Sequence, residues 1–240
     1  MFIGIKHEGR VFFNKIFFQL NLRIPKCLFK PMTDLIISNF NIAFFQPPKN
    51  PLPDEIFSEI YLAVQPHFPI ADQISNPILI ARRKGGGEIN INPVFIQFLN
   101  LETKDIDYDL KMTKEITDIY FNKYRTEKVH QIAIRLVSIV EASFQDGERQ
   151  LIKNESIKLS PNNAKILSPD KEVKIGVRLV FRRSDKRYDL RIEPYFKKLE
   201  CNHVDFNIVL PDLVISPNDV YNLVNEEILF FRRDLSTLIP

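Results

Sequence analysis

Three segments in the C-terminal half of the chain alternate apolar and polar positions. Val173, Ile175, Val177, Leu179 and Phe181 form one row, Tyr188, Leu190 and Ile192 a second, and Val204, Phe206, Ile208 and Leu210 a third. Successive strand side chains point to opposite faces, so each segment has one face to bury and one to wet. The polar breaks at Ser184-Asp185-Lys186 and Lys197–Asn202 are short enough for hairpin-like connections. Three antiparallel strands are therefore expected there.

Upstream, Phe40, Ile42 and Phe44 alternate with Asn39, Asn41 and Ala43, which predicts a strand over 36–46 that ends at Pro47-Pro48. A helix is expected at about 53–65. Pro53 suits its first turn, Asp54 and Glu55 suit its positive end, and Ile56, Phe57, Ile60, Tyr61 and Val64 share a face. Residues 78–83 and 88–101 read as strands around Lys84-Gly85-Gly86-Gly87, with Pro93 marking a break. The alternation of Ile106, Tyr108, Leu110 and Met112 with Asp105, Asp107, Asp109 and Lys111 reads as another strand, followed by a helix over 113–125. Residues 129–142 return to strand, and the polar, Pro-broken stretch 145–171 reads as a long loop or subdomain connection. A last helix is bounded by Ser216 as N-cap and Pro217 at its first position, and its pattern runs to about Leu238.

Strands outnumber helices, and neighbouring strands are hairpin-linked. The fold class this implies is α+β, an antiparallel sheet with about three helices packed on one face. Residues 32–240 read as a single domain with two possible subdomains divided near 145–171. Each part ends in a helix, a layout compatible with internal duplication.

Composition changes this picture little, but charge distribution does. The 240 residues carry a net charge of +3. Residues 1–31 hold Lys6, Arg10, Lys15, Arg23, Lys26 and Lys30 against Glu8 alone, so the rest of the chain is slightly acidic. The body lacks the basic balance of a dedicated nucleic-acid binder. The first 31 residues are too interrupted by polar side chains to span a membrane and lack a signal-peptide cleavage pattern. Phe18 to Ile24 alternates like a strand, while Phe12, Phe13, Ile16, Phe17 and Leu20 fit a helical face as well. A biological start at Met32 is a further alternative. Cys27 and Cys201 form no metal or redox spacing, which favours a cytoplasmic location.

Candidate chemistry is sparse. Asp105, Asp107 and Asp109 would share one strand face and could hold Mg²⁺ or Mn²⁺, the basis of a metal-dependent hydrolase reading. A half-buried strand also needs a wet side, and that is the preferred account of them. Arg82, Arg83 and Lys84 before the glycines form a basic loop that could touch phosphates, without the strand–loop–helix context of a P-loop. Arg182, Arg183, Lys186 and Arg187 form a second basic tip. Together they support an RNA-binding or RNA-processing alternative. Pro169-Asp170 and Glu172-Val173-Lys174 abut rather than lying on separate strands, unlike the acid–lysine sets of restriction-type nucleases. The pair Cys201 and His203 reads as polar residues at a strand start, and no nucleophile elbow, zinc helix or cofactor motif is present.

The layout resembles that of a sporadically distributed bacterial and archaeal family of similar length. The residues that carry the likeness are Pro66-His67-Phe68-Pro69 after the first helix, Ile132-Ala133-Ile134-Arg135-Leu136-Val137-Ser138, and the long helix after the last hairpins. Family members often place asparagine where this chain has Ser138. The resemblance spans residues 32–240 and implies no activity. With no cofactor signature and no convergent catalytic set, the expectation is a non-enzymatic module that binds another protein.

Overall fold

The computed structural model describes residues 35–141, 176–195, 197, 201–211 and 215–238. Within them, nine strands form one sheet in which every neighbouring pair is antiparallel. The elements in chain order are β1 (Ile37–Phe45), α1 (Asp54–Val64), β2 (Ile70–Ser75), β3 (Ile78–Arg82), β4 (Glu88–Ile91), β5 (Phe95–Glu102), α2 (Ile106–Lys123), β6 (Gln131–Glu141), β7 (Val177–Arg183), β8 (Lys186–Pro194), β9 (Cys201–Leu210) and α3 (Pro217–Leu229). In space the strands run β2-β3-β4-β5-β1-β6-β9-β8-β7. The fold is α+β with the sheet dominant.

Cross-strand register aligns the apolar rows. Ile42 stands opposite Phe98 on one side and Ile134 on the other; Ile134 faces Ile208, and Ile208 faces Tyr188. One sheet face thus collects Phe40, Ile42, Phe44, Leu136 and Phe206, all at most 1% exposed. Burying each such side chain contributes about 2–3 kcal/mol. Phe44 packs against Phe121 of α2 and Tyr221 of α3, and Phe206 packs against Phe230 and Phe231 just beyond α3.

The topology repeats itself. β1 is followed by a helix, the meander β2–β3–β4–β5 whose last strand returns to the flank of β1, and then α2. Among the described residues, β6 is followed by the meander β7–β8–β9, whose last strand returns to the flank of β6, and then α3. β1 and β6 pair at the centre, so the halves are related by an approximate two-fold through the Ile42/Ile134 pair. The helices obey the same relation at one constant spacing in residue number. The N-caps are Asp105 and Ser216, and the buried positions Asp109, Leu110, Thr113, Ile116, Thr117, Tyr120 and Tyr124 match Val220, Tyr221, Val224, Glu227, Ile228, Phe231 and Leu235. The penultimate hairpins match as well, with Arg82-Arg83 and Arg182-Arg183 closing equivalent strands.

Four expectations need correction. Residues 105–112 are not a strand, because α2 begins at Ile106 and runs unbroken to Lys123. The Asp105 side chain accepts hydrogen bonds from the Asp107 and Tyr108 amides, and an acidic first turn suits the positive helix end. Tyr108, an apolar member of the supposed strand row, is 57% exposed, so the buried stripe follows a helical period instead. Strand β2 was not anticipated, since all six of its residues are exposed and carry no alternation. β7 is an edge strand whose Leu179 and Val180 are exposed, although its sequence reads as a buried row. The last helix leaves α geometry at Leu229 and continues as a π-turn, Phe230–Asp234, and a 3₁₀ turn, Leu235–Leu238. The expectations for residues 1–31, Met32, the 145–171 loop, the Pro169–Lys174 motif and the row members Val173 and Ile175 lie outside the described residues.

Candidate functional site

The β3–β4 tip is built on glycine conformations. Gly85, Gly86 and Gly87 have φ of +85°, +107° and +102°, in the region that favours residues without Cβ. A Cβ at Gly87 would lie 2.9 Å from Arg83 Nε and 3.0 Å from Leu101 Cδ2. Glycine there lets the Arg83 side chain fold back over the loop. Its Nε donates to the Gly86 carbonyl, its Nη2 to the Glu102 carbonyl at 2.7 Å, and its Nη1 to Asp109 Oδ1 at 2.8 Å. Asp109 is 3% exposed, so this ion pair is largely shielded from water.

Two groups of residues singled out separately in the sequence therefore meet, and they cancel each other. Arg83 of the basic loop is spent on Asp109 of the acidic run, and Arg82 pairs with Asp72 of β2, which holds the Arg82 guanidinium in its charged form. Asp105 is a helix cap, Asp107 lies in the first helical turn, and Asp109 is buried against Arg83. The strand that would have given the three carboxylates a common face does not exist. Among the described residues no group of three or more His, Cys, Asp or Glu is placed to hold a metal ion.

The second basic tip is committed in the same way. Lys186 donates to Glu227, a 3%-exposed carboxylate that also accepts from the Tyr188 hydroxyl at 3.2 Å. Burial, reinforced by Glu227, holds the Tyr188 hydroxyl protonated well above its usual range. The Arg183 guanidinium lies 5.2 Å from the Phe230 ring centre. Arg182 and Arg187 stand exposed across the hairpin from each other. Register carried across the sheet places this tip where β1 finishes, whereas Arg82, Arg83 and Lys84 stand where β1 begins. The two tips are at opposite ends of the sheet and share no surface.

A groove of about 1010 Å³ adjoins the first tip. It is lined by the loop residues Arg83, Lys84 and Gly85, the segment from Glu102 to Asp105 with Tyr108 and Asp109 of α2, and Arg135, Val137, Ile139 and His203 of the polar sheet face. Arg135 holds Asp205 through Nε and Nη2 at 2.9 and 3.0 Å, and this bond keeps the guanidinium firmly charged. His203 stacks on Tyr195, with ring centres 6.4 Å apart. Cys201, two residues before His203, is 3% exposed. Lys104, Tyr108, Tyr195 and the Arg135–Asp205 pair carried no functional signal in sequence, because chain segments distant in number supply them.

The edge strand β2 is the other exposed feature. Ile70 and Ile74 are 42% and 45% exposed, and among the described residues no strand pairs with its outer edge. Natural edge strands are usually guarded by charge, proline or bulges. β2 has a bulge between Ala71 and Gln73, but its one charge, Asp72, is neutralised by Arg82. The opposite edge, β7, carries Arg178, Arg182 and Arg183.

No family model and no curated protein matches the chain. Among the described residues no helix is long and apolar enough to cross a membrane.

Proposed function

We propose that this protein is a non-enzymatic, cytoplasmic interaction module that receives an extended segment of another protein along β2. The observation that carries this reading is the exposed, weakly guarded edge of β2, with Ile70 and Ile74 outward. An added strand gains main-chain hydrogen bonds from the edge and specificity from alternate side chains. The RNA alternative is less well supported, because the tips are far apart and Arg82, Arg83, Arg183 and Lys186 already have intramolecular partners. Metal-dependent hydrolysis loses its supposed strand of carboxylates. The three helices share one face of the sheet in this reading, which is supported for α2, α3 and its continuation by the ring contacts of Phe121, Tyr221, Phe230 and Phe231 with Phe44, Tyr188 and Phe206, and for α1 by Phe57, Ile60 and Val64 in the same core. The layout of residues 32–240 also supports placing the chain beside the bacterial and archaeal family it resembles.

The test is affinity capture from the native host with the full chain, beside an Ile74→Lys variant. A stoichiometric protein held by the wild type and lost by the variant, with β2 amides protected from hydrogen exchange in the complex, is the expected result. Identical capture by both proteins, or RNA alone in the eluate, would overturn it.

A further inference from the structure

The approximate two-fold makes each half a control for the other. Where the first half has Lys84, Lys104 and Asp109, the equivalent positions of the second hold Ser184, Ile215 and Val220. The same architecture closes without those three charges, so the fold does not require them. All three line the groove at the first tip.

Their electrostatic state is unequal. Asp109 is cancelled by Arg83, and the Asp105 carboxylate is occupied as a helix cap. Lys84 and Lys104 are exposed and have no ion-pair partner among the described residues. Arg135 bonds Asp205 through Nε and Nη2, which leaves Nη1 without a side-chain acceptor there. Against these three donors, of which Arg135 is already paired with Asp205, the groove presents two carboxylates without an ion pair among the described residues, Glu102 and the capping Asp105. We infer that the groove is a binding site for a small multivalent anion of the phosphate or polycarboxylate class, held by Lys84, Lys104 and Arg135. Ammonium and guanidinium donors suit that chemistry, and the groove is concave around them. The groove adjoins the Ile70 end of β2, since Arg83 and Asn100 line both it and a smaller pocket beside Ile70, whereas Ile74 stands further along the strand, opposite Leu79.

Calorimetric titration of the full chain with pyrophosphate and, in parallel, with citrate at low ionic strength tests this. Saturable single-site binding of either anion is expected, and which one binds identifies the source of the charge. A Lys84→Ala/Lys104→Ala variant should weaken it by about tenfold or more, since each lost charge-assisted contact is a substantial fraction of the affinity. Arg182→Ala/Arg187→Ala removes as much charge from the other tip and should change affinity by less than about twofold. Ile74→Lys should leave anion binding intact, which separates this site from the β2 reading. Failure of both anions to bind, equal losses in the two double variants, or an unaffected groove variant would each overturn the site. So would preferential binding of short single-stranded RNA with losses at both tips.

Discussion

Arg83 at the β3–β4 tip and Asp109 in the first turns of α2 form an ion pair at 2.8 Å, with side-chain exposures of 17% and 4%. The equivalent of Asp109 in the second half is Val220, fully buried without any charge. The pair therefore fixes the loop against the helix, and the groove wall depends on it. Removing one partner of a shielded pair leaves the other charge unsatisfied. Asp109→Ala should cost about 2–3 kcal/mol in denaturant unfolding. Arg83→Met combined with Asp109→Val should recover part of that loss, because an apolar pair needs no partner. A double variant no better than the single one would refute the account.

Gly87 tests the same loop from the backbone side. Its φ of +102° and the 2.9 Å approach of Arg83 Nε to an added Cβ both penalise alanine. Gly87→Ala should destabilise by about 1–2 kcal/mol, combining steric conflict with positive-φ strain. Gly85→Ala has the strain but open space around it, and should cost less. Thermal unfolding of the two variants side by side decides the order.

Tyr120 and Tyr124 pack with ring centres 4.8 Å apart and planes tilted by 51°, but their hydroxyls fare differently. Tyr120 donates to the Asn92 carbonyl at 2.9 Å, while the buried Tyr124 hydroxyl has no hydrogen-bond partner among the described residues. Burial pushes the Tyr124 hydroxyl up to about 12 and raises that of Tyr120 further. Tyr120→Phe should lose about 1 kcal/mol, whereas Tyr124→Phe should be neutral or stabilising by up to about 1 kcal/mol. Equal losses in urea midpoints would contradict this contrast.

Asp189 accepts from Arg178 at 2.7 and 2.9 Å and from Arg191 at 3.1 Å. The Arg178 bond, despite opposing desolvation, holds its carboxyl down at about 2 against an ordinary 3.8. A depressed folded-state value means the stabilisation is present above the unfolded value and is lost as pH falls towards the folded one. The wild type should lose stability between about pH 4 and pH 2 partly through this group, by a small amount because the site is solvent-screened. Asp189→Asn should flatten that limb of the urea midpoint against pH. An unchanged limb would remove Asp189 from the account.

Local pattern alone determined much of this protein. The alternation of Phe40, Ile42 and Phe44, of Ile132, Ile134 and Leu136, and of Val204, Phe206 and Ile208 specified central strands, since burial on one face repeats with period two. The caps specified α3, because Ser216 and Pro217 satisfy the helix end by short-range chemistry. Where two periods compete, as at Asp105–Met112, the sequence was ambiguous, and the buried contacts of Asp109, Leu110 and Thr113 decided for helix. β2 has no buried face and hence no pattern to read; pairing with β3 alone makes it a strand. Cancellation of Arg83 by Asp109, separation of the two basic tips, and assembly of the groove from segments far apart in number are set by strand order and register. Those are long-range quantities, and side chains far apart in number acquire a common electrostatic environment only once the sheet has brought them together.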